Sequence, residues 1–473
     1  MSFLAYDLIF LAIFLVFFSV FLYTRKHNLK REGLLFLYRT KWGIKIIDSI
    51  GKKYKKTLSV LSYVCILSGY LLMAGAIYLI YNVIKIYVFS PAIVRAIKVP
   101  PIIPLVPYLP QVFRLEFLPP FYFTYWIVII AVIAITHEMA HGILMRLYNV
   151  KIKSTGFAFF PWFFPVFPAA FVEQDEKSMN KSTKFHQLAI LSAGTFANVV
   201  TAALFLVILF GFFSLAFAPS GVVFDTYATS TIPVAAISLI NGITLNNGSY
   251  QSIIDNANEV GFSELTVGDT TYLVTKSMLE NQEDNEGLIL AYNDAPAIRA
   301  NLSSIITEIN GIEVNSIMVL QEELVKYAPG DNITIQTKGT DGFLETEITL
   351  GENPLKPGAA WVGIGFYSRE TNSLVRKIVN KLTFKDPNVY YEPKVDGISI
   401  FFYNLLWWVV IISISVALVN MLPVGLFDGG KFFYLTVLGI TGSKKFAERA
   451  FKFTTWFFLA SLLALMIFWF VAW

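Results

Sequence analysis

Residues 121–147 read FYFTYWIVIIAVIAITHEMAHGILMRL, and this stretch decides the fold class. It is long enough to cross a bilayer, which takes about 20 apolar residues, yet it carries His137, Glu138 and His141 within five positions. Two His four apart share one helix face with a rise of about 6 Å between them, the spacing two imidazoles need to reach one tetrahedral zinc ion. Glu138 then sits beside the ion without binding it. Ionisable groups inside a span are costly and mark function, and the whole chain has only four His. Two readings follow: a catalytic metal centre with Glu138 as base, or a structural His pair facing a polar cavity in a transporter. Arg146 marks the inner end of the helix. His137, nine residues earlier, is therefore expected about 14 Å below that surface.

The rest of the chain is consistent with a membrane protein. Of 473 residues, 55% are hydrophobic and 15% charged, whereas soluble domains are nearer a quarter charged. Apolar runs near 3–23, 57–89, 121–147, 187–217, 398–440 and 449–473 predict six crossings. The first is read as an uncleaved span, since it lacks a basic leading region and a small-residue cleavage site. Cys65 is the only cysteine, so any metal must be held by His and carboxylates. The net charge of +4 reads as a topology signal, and no nucleic-acid partner is expected.

Eleven Lys and Arg between Arg25 and Lys56 face only Glu32 and Asp48, which places that loop in the cytoplasm. Threading from there puts both termini and the long acidic segment 218–397 outside. Lys444, Lys445, Arg449 and Lys452 flank the last span on its expected inner side. Sequons at Asn247, Asn301 and Asn332 fall in the exterior segment.

Between about 218 and 370 the apolar saturation gives way to short β-type runs among Gly, Asn and Asp turns. The segment repeats internally. Residues 237–246 (ISLINGITLN) match 306–315 (ITEINGIEVN), and 267–276 (VGDTTYLVTK) match 329–338 (PGDNITIQTK). Each copy then runs into a strand, Gly287 to Tyr292 and Val362 to Tyr367. The pattern resembles a circularly permuted PDZ domain, and a β-rich exterior domain with no peptide site is the other reading.

A catalytic zinc keeps three protein ligands and one open position. His27 and His186 lie outside the apolar spans, so a carboxylate is needed. Residues 419–431, VNMLPVGLFDGGK, supply Asp428 beside Pro423 and three glycines, which break the helix at membrane depth. Asp428 is either that ligand or an ordinary turn residue. Taken together, His137-Glu138-x-x-His141, the downstream Asn420-x-x-Pro423-x-x-x-x-Asp428-Gly429 and the Gly194-x-x-x-Asn198 of the fourth span resemble the site-2 protease family of intramembrane metalloproteases. The resemblance covers roughly 121–440. It implies one Zn2+ per chain held by His137, His141 and Asp428, with Glu138 as the catalytic base and Gly194, Asn198 and Asn420 lining the substrate path. Thr195, where Pro is frequent, and Phe427, where Leu is usual, depart from the family pattern.

Residues 151–172 hold three prolines in an apolar run and read either as the family's re-entrant β-hairpin or as an aromatic loop on the surface. The expected fold class is a polytopic α-helical membrane protein with an inserted extracytoplasmic PDZ-like tandem domain. Its parts are expected at 1–120 (two helices and the basic loop), 121–217 (first catalytic part), 218–292 and 293–370 (PDZ-like copies), 371–397 (linker) and 398–473 (second catalytic part). Its partners are transmembrane protein substrates and the bilayer, in the cell membrane. One alternative is a zinc protease with a Glu-x-x-x-Asp helix, for which Glu392 and Asp396 have the spacing but Pro393 breaks the helix. The other is a non-enzymatic receptor or transporter. For the topology, a cysteine at Lys41 in a Cys65→Ala background should resist an impermeant thiol reagent in intact cells, and ready labelling would reverse the orientation.

Overall fold

The computed structural model describes residues 3–472 except 26, 28, 34, 42, 91–93, 95–99, 116, 161–166, 246–248, 283–286, 341 and 368–383. The sequon residue Asn247 lies outside the described residues. The chain forms two compact units, residues 1–213 with 400–473, and residues 214–399.

Among the described residues, six helices are long and apolar enough to cross a membrane. They are Phe3–Thr24, Lys55–Phe89, Phe123–Leu147, Lys184–Ala216, Ile398–Asn420 and Lys444–Ala472. The apolar run 398–440, counted as one crossing, is divided where Pro423 and the glycines are expected to break it. The helix stops at Asn420, a buried turn follows, and a new helix runs from Asp428 to Thr441. Pro423 lacks the N–H that a continued helix needs, and Gly429 and Gly430 let the new helix begin against the turn's own backbone. A Cβ on Gly429 would lie 2.3 Å from the Met421 carbonyl carbon, and one on Gly430 2.3 Å from the Val424 oxygen. Only glycine permits this return, and it sets Asp428 in the first turn of the new helix.

The third span is fixed at its start by a residue from the first. Helices begin with unsatisfied N–H groups, and Tyr122, which precedes this one, supplies no side-chain cap. Asp7, 1% exposed, supplies it instead. Its carboxylate accepts from Phe123 N at 2.8 Å, Thr124 N at 2.9 Å and Thr124 Oγ1 at 2.5 Å, and from Tyr108 Oη at 2.6 Å. Burial, and then this bond to Asp7, push the Tyr108 phenol up, so it stays a donor. Most of the first span's other side chains are exposed, as suits a helix facing lipid.

The segment 151–172 forms strands, Ile152–Phe160 and Phe167–Gln174, in a four-stranded antiparallel sheet. The other two strands, Leu29–Glu32 and Leu35–Thr40, come from the basic loop, with Thr40 opposite Thr155 and Phe36 opposite Phe159. A ten-residue helix, Ile44–Lys53, follows and packs on the third span.

The second unit holds two larger sheets, and its chain order differs from the expected tandem. Strands 229–233, 288–293, 270–274, 263–267, 239–240 and 243–244 form one sheet in that spatial order; 342–349, 332–339, 305–309, 217–223 and 389–393 form the other. Phe217–Val223 therefore belongs with the later copy, because Val222 is buried among Ile306, Ile309 and Ile335. The first copy is thus inserted within the second rather than set before it. Val389–Pro393, inside the stretch expected to be linker, is a strand paired with Phe217–Val222.

The Asn-Gly repeat is exact in geometry. Asn241 and Gly242 have φ 50° and 80°, and Asn310 and Gly311 have 47° and 78°, as a type I′ turn requires. Asn241 Oδ1 accepts from Glu264 N and Asn310 Oδ1 from Thr334 N. Strands 263–267 and 332–339 are therefore the equivalent pair. The Gly-Asp match is offset, since Gly268-Asp269 follows its strand and Gly330-Asp331 precedes its own.

Removing a cap from a buried helix end leaves donors with no water to receive them, at a cost of about 1–3 kcal/mol. Asp7→Ala should lower unfolding stability in detergent by about that much, with Asp7→Asn in between. Unchanged stability in Asp7→Ala would remove the capping role.

Candidate metal centre

His137 and His141 lie on one face of the Phe123–Leu147 helix, both buried. Their Nε2 atoms stand 3.0 Å apart. Asp428 Oδ2 completes the group, 3.3 Å from His137 Nε2 and 3.2 Å from His141 Nε2. Distances of this size between three donor atoms leave them facing a common point, and among the described residues this is a His-His-carboxylate set able to hold a metal ion. His137 stands ten residues before Leu147, about 15 Å along the axis.

The far side of each ring shows whether the donors suit a metal. His141 Nδ1 lies 2.6 Å from the Ile190 carbonyl oxygen, which only accepts. The proton is therefore on Nδ1, and Nε2 keeps its lone pair for an ion. His137 Nδ1 lies 3.1 Å from the Asn198 amide. With nitrogen toward the ring, that amide leaves its buried oxygen without a partner. With oxygen toward the ring it accepts from Nδ1–H and again frees Nε2. His141 thus fits a zinc ion, which takes neutral imidazole and carboxylate ligands, and His137 does so with the Asn198 oxygen turned to its ring.

Gly194 explains how the rings come so close to the fourth span. A Cβ there would lie 2.4 Å from His141 Nε2 and 2.6 Å from His137 Nε2. Any side chain would occupy the place of the ion or of its ligands. Asn198, one helical turn on, is fully buried. Asn420 ends the fifth span and is partly buried, and among the described residues it makes no hydrogen bond to His137, His141 or Asp428.

Glu138 faces a cavity of about 460 Å³ shared with His141 and Asp428. Its Oε2 accepts from Val172 N at 2.8 Å, so the strand Phe167–Gln174 aims the carboxylate. The next residue, Glu173, accepts from Ser154 Oγ at 2.6 Å and Arg39 Nε at 3.0 Å, and Arg39 Nη2 reaches Glu32 at 2.6 Å. Ser154 and then Arg39 hold the Glu173 carboxyl below its ordinary range. This attachment is fully present above about pH 4.3, the unperturbed Glu value, and weakens as pH falls through the depressed one.

The sequence reading missed Asp7, Arg39 and Glu173. A lone Asp in an apolar span was a usable signal for the first. Nothing local marks the other two, whose partners are 134 residues apart in the chain.

Replacing Gly194 by Ala should displace the imidazoles and lower zinc affinity by more than the roughly 10–100-fold typical of changes behind the ligands. Competition against a chelator reads this, and wild-type affinity would show that the donor atoms have room to spare.

Comparisons with known proteins extend the picture. The chain is 23% identical over 211 residues to the zinc metalloprotease RasP of Shouchella clausii, covering 38% of this chain and 50% of that one. It is 28% identical over 180 residues to an uncharacterized protein of Methanocaldococcus jannaschii, covering 37% of this chain and 42% of that one. The chain thus spans about half the length of the curated relatives it matches. The family model of peptidase family M50 matches residues 125–465, which include all three donor residues, Glu138, Gly194, Asn198 and Asn420. The chain belongs to peptidase family M50, the site-2 protease family.

Proposed function

We propose that the chain is an intramembrane zinc metalloendopeptidase that cleaves transmembrane segments of other membrane proteins. The observation that carries this reading is the approach of His137 Nε2, His141 Nε2 and Asp428 Oδ2 to within 3.0–3.3 Å of one another, with Glu138 on the same cavity. Zinc at that point supplies Lewis acidity and a water acidic enough to ionise near neutral pH.

The chain's own groups do the rest. Ile190 and Asn198 orient the imidazoles through Nδ1, and Gly194 keeps the space in front of them clear. Glu138 is held through Oε2 by Val172 N–H, which leaves Oε1 to take a proton from water and deliver it to the departing amine. The strand Phe167–Gln174 is at the edge of its sheet and runs past Glu138. An unwound substrate segment adding to that edge would be presented to the base; of the two asparagines expected along its path, Asn198 is buried against His137, and the partly buried Asn420 is the one left for the substrate backbone.

The second unit serves in this reading as a PDZ-like filter on the extracytoplasmic side, admitting substrates already shortened by an earlier cut. The paired Asn-Gly turns and the acidic composition support a binding module separate from the chemistry. Both termini are extracytoplasmic and the chain resides in the cell membrane, as the charge of the 24–56 loop supports.

A receptor or transporter with a structural metal would not depend on Glu138. Glu138→Gln should keep zinc near stoichiometric while cleavage of a detergent-solubilised transmembrane substrate falls by about 10²–10⁴. Asp428→Ala should lose both zinc and cleavage. Undiminished cleavage by Glu138→Gln would overturn the mechanism, and full zinc in Asp428→Ala would remove the third ligand.

A further inference from the structure

The helix Ile44–Lys53 has two unlike faces. Ile47 is 1% exposed and Gly51 is buried one turn later, both turned to the third span. Against that span the fit is close: a Cβ on Gly142 would lie 2.8 Å from Ile47 Cδ1, and one on Gly51 2.7 Å from Arg146 Cβ. Asp48, the only acidic residue of the helix, forms an ion pair with Arg146. The helix is thus fastened to the end of the catalytic helix, beginning at the residue that follows His141.

The other face is cationic. Lys45, Lys52 and Lys53 are exposed, with Lys41 before them and Lys55 and Lys56 after. The one carboxylate nearby in sequence is engaged with Arg146, so it does not offset these charges. Among the lysines stand two exposed apolar side chains, Ile46 at 52% and Tyr54 at 49%. The second span begins directly after Tyr54, at Lys55, so the helix sits where a span leaves the bilayer. A short helix with a cationic face, exposed apolar side chains among the charges and a place at the boundary has the chemistry of a surface that meets lipid headgroups.

We propose that Lys41 and residues 43–56 form a docking surface for anionic phospholipid headgroups, fastened through Ile47, Gly51 and Asp48 to the end of the helix that carries His137, Glu138 and His141. Topological bias alone asks only for positive charge in the loop. It does not ask for an amphipathic helix whose buried face meets the third span through a glycine on each side, Gly51 and Gly142, and whose acid is withdrawn from the cationic face. The lysines supply attraction to phosphate at short range, while Ile46 and Tyr54 enter the headgroup layer. A soluble polyanion would use the lysines but leave those two side chains in water.

The test reads lipid binding and does not depend on the protease reading. The full chain, reconstituted in mixed phosphatidylcholine and phosphatidylglycerol nanodiscs and released into mild detergent, is examined by native mass spectrometry for retained lipid. Phosphatidylglycerol should be retained over phosphatidylcholine by at least about fivefold. The Lys45→Gln, Lys52→Gln, Lys53→Gln, Lys56→Gln variant, altered only at exposed positions, should lose that preference while keeping zinc, which reports an intact core. Excess inorganic phosphate should not displace the lipid. Equal retention of both lipids by wild type, an undiminished preference in the variant, or full displacement by inorganic phosphate would each overturn the proposal. Binding of an acidic peptide without any lipid preference would overturn it too, by assigning the surface to a protein partner.

Discussion

Everything in the first unit is arranged around the close meeting of two imidazoles and a carboxylate inside an apolar shell. Polar groups brought together away from water are costly unless each is bonded or bound to an ion. Here His141 is bonded at Nδ1 to Ile190 and His137 to Asn198, so both rings present Nε2 to the same point. Three glycines make the meeting sterically possible. Gly194 clears the space in front of the rings, and Gly429 and Gly430 let a helix start against a turn so that Asp428 arrives from another part of the chain. The site depends as much on side chains that are absent as on those that are present.

The helix bearing the histidines is gripped at both ends by residues that lie before the family match. Asp7 caps its first turn, and Asp48, Ile47 and Gly51 hold its last. These grips differ in kind. The first is a fully buried carboxylate bonded by four donors, whose loss leaves N–H groups unsatisfied. The second combines a tight apolar fit with an ion pair near the boundary. A helix held this way has little freedom to slide along its axis, and a slide of one residue would turn the His pair by about 100° away from Asp428.

Much of this was legible in the sequence, though unevenly. The His-Glu-x-x-His helix could be read because metal chemistry fixes a local spacing, and the six apolar runs because bilayer thickness fixes a length. Asp428 and the helix break before it were both legible through Pro423 and the glycines, although hydropathy alone runs 398–440 together and does not register a buried turn. For 151–172 the prolines argued only against a helix, and the strands 152–160 and 167–174 match the hairpin that the family resemblance offered beside a surface loop. Its extension by Leu29–Glu32 and Leu35–Thr40 was not legible, because pairing between strands over a hundred residues apart leaves no local mark. The repeat shows the same limit. The Asn-Gly turn demands positive φ at two positions and so aligned correctly, whereas Gly-Asp is compatible with either end of a strand and aligned out of register.

The extended sheet also bears on a requirement that the proposed hydrolysis would impose. The reaction consumes water, and a span as apolar as Phe123–Leu147 would exclude it. The sheet places Glu32, Arg39 and Glu173 on the cavity that Glu138 and Asp428 share, with Lys153 and Lys431 on the same walls. Because Arg39 is paired with both Glu32 and Glu173, all three only partly buried, the wall carries charges fixed in position. The strand that contributes Glu173 to this wall also contributes Val172 N–H to Glu138. A single edge strand therefore contributes both Glu173 to the charged lining and the Val172 N–H that holds Glu138, and the basic loop furnishes the two strands that extend this sheet.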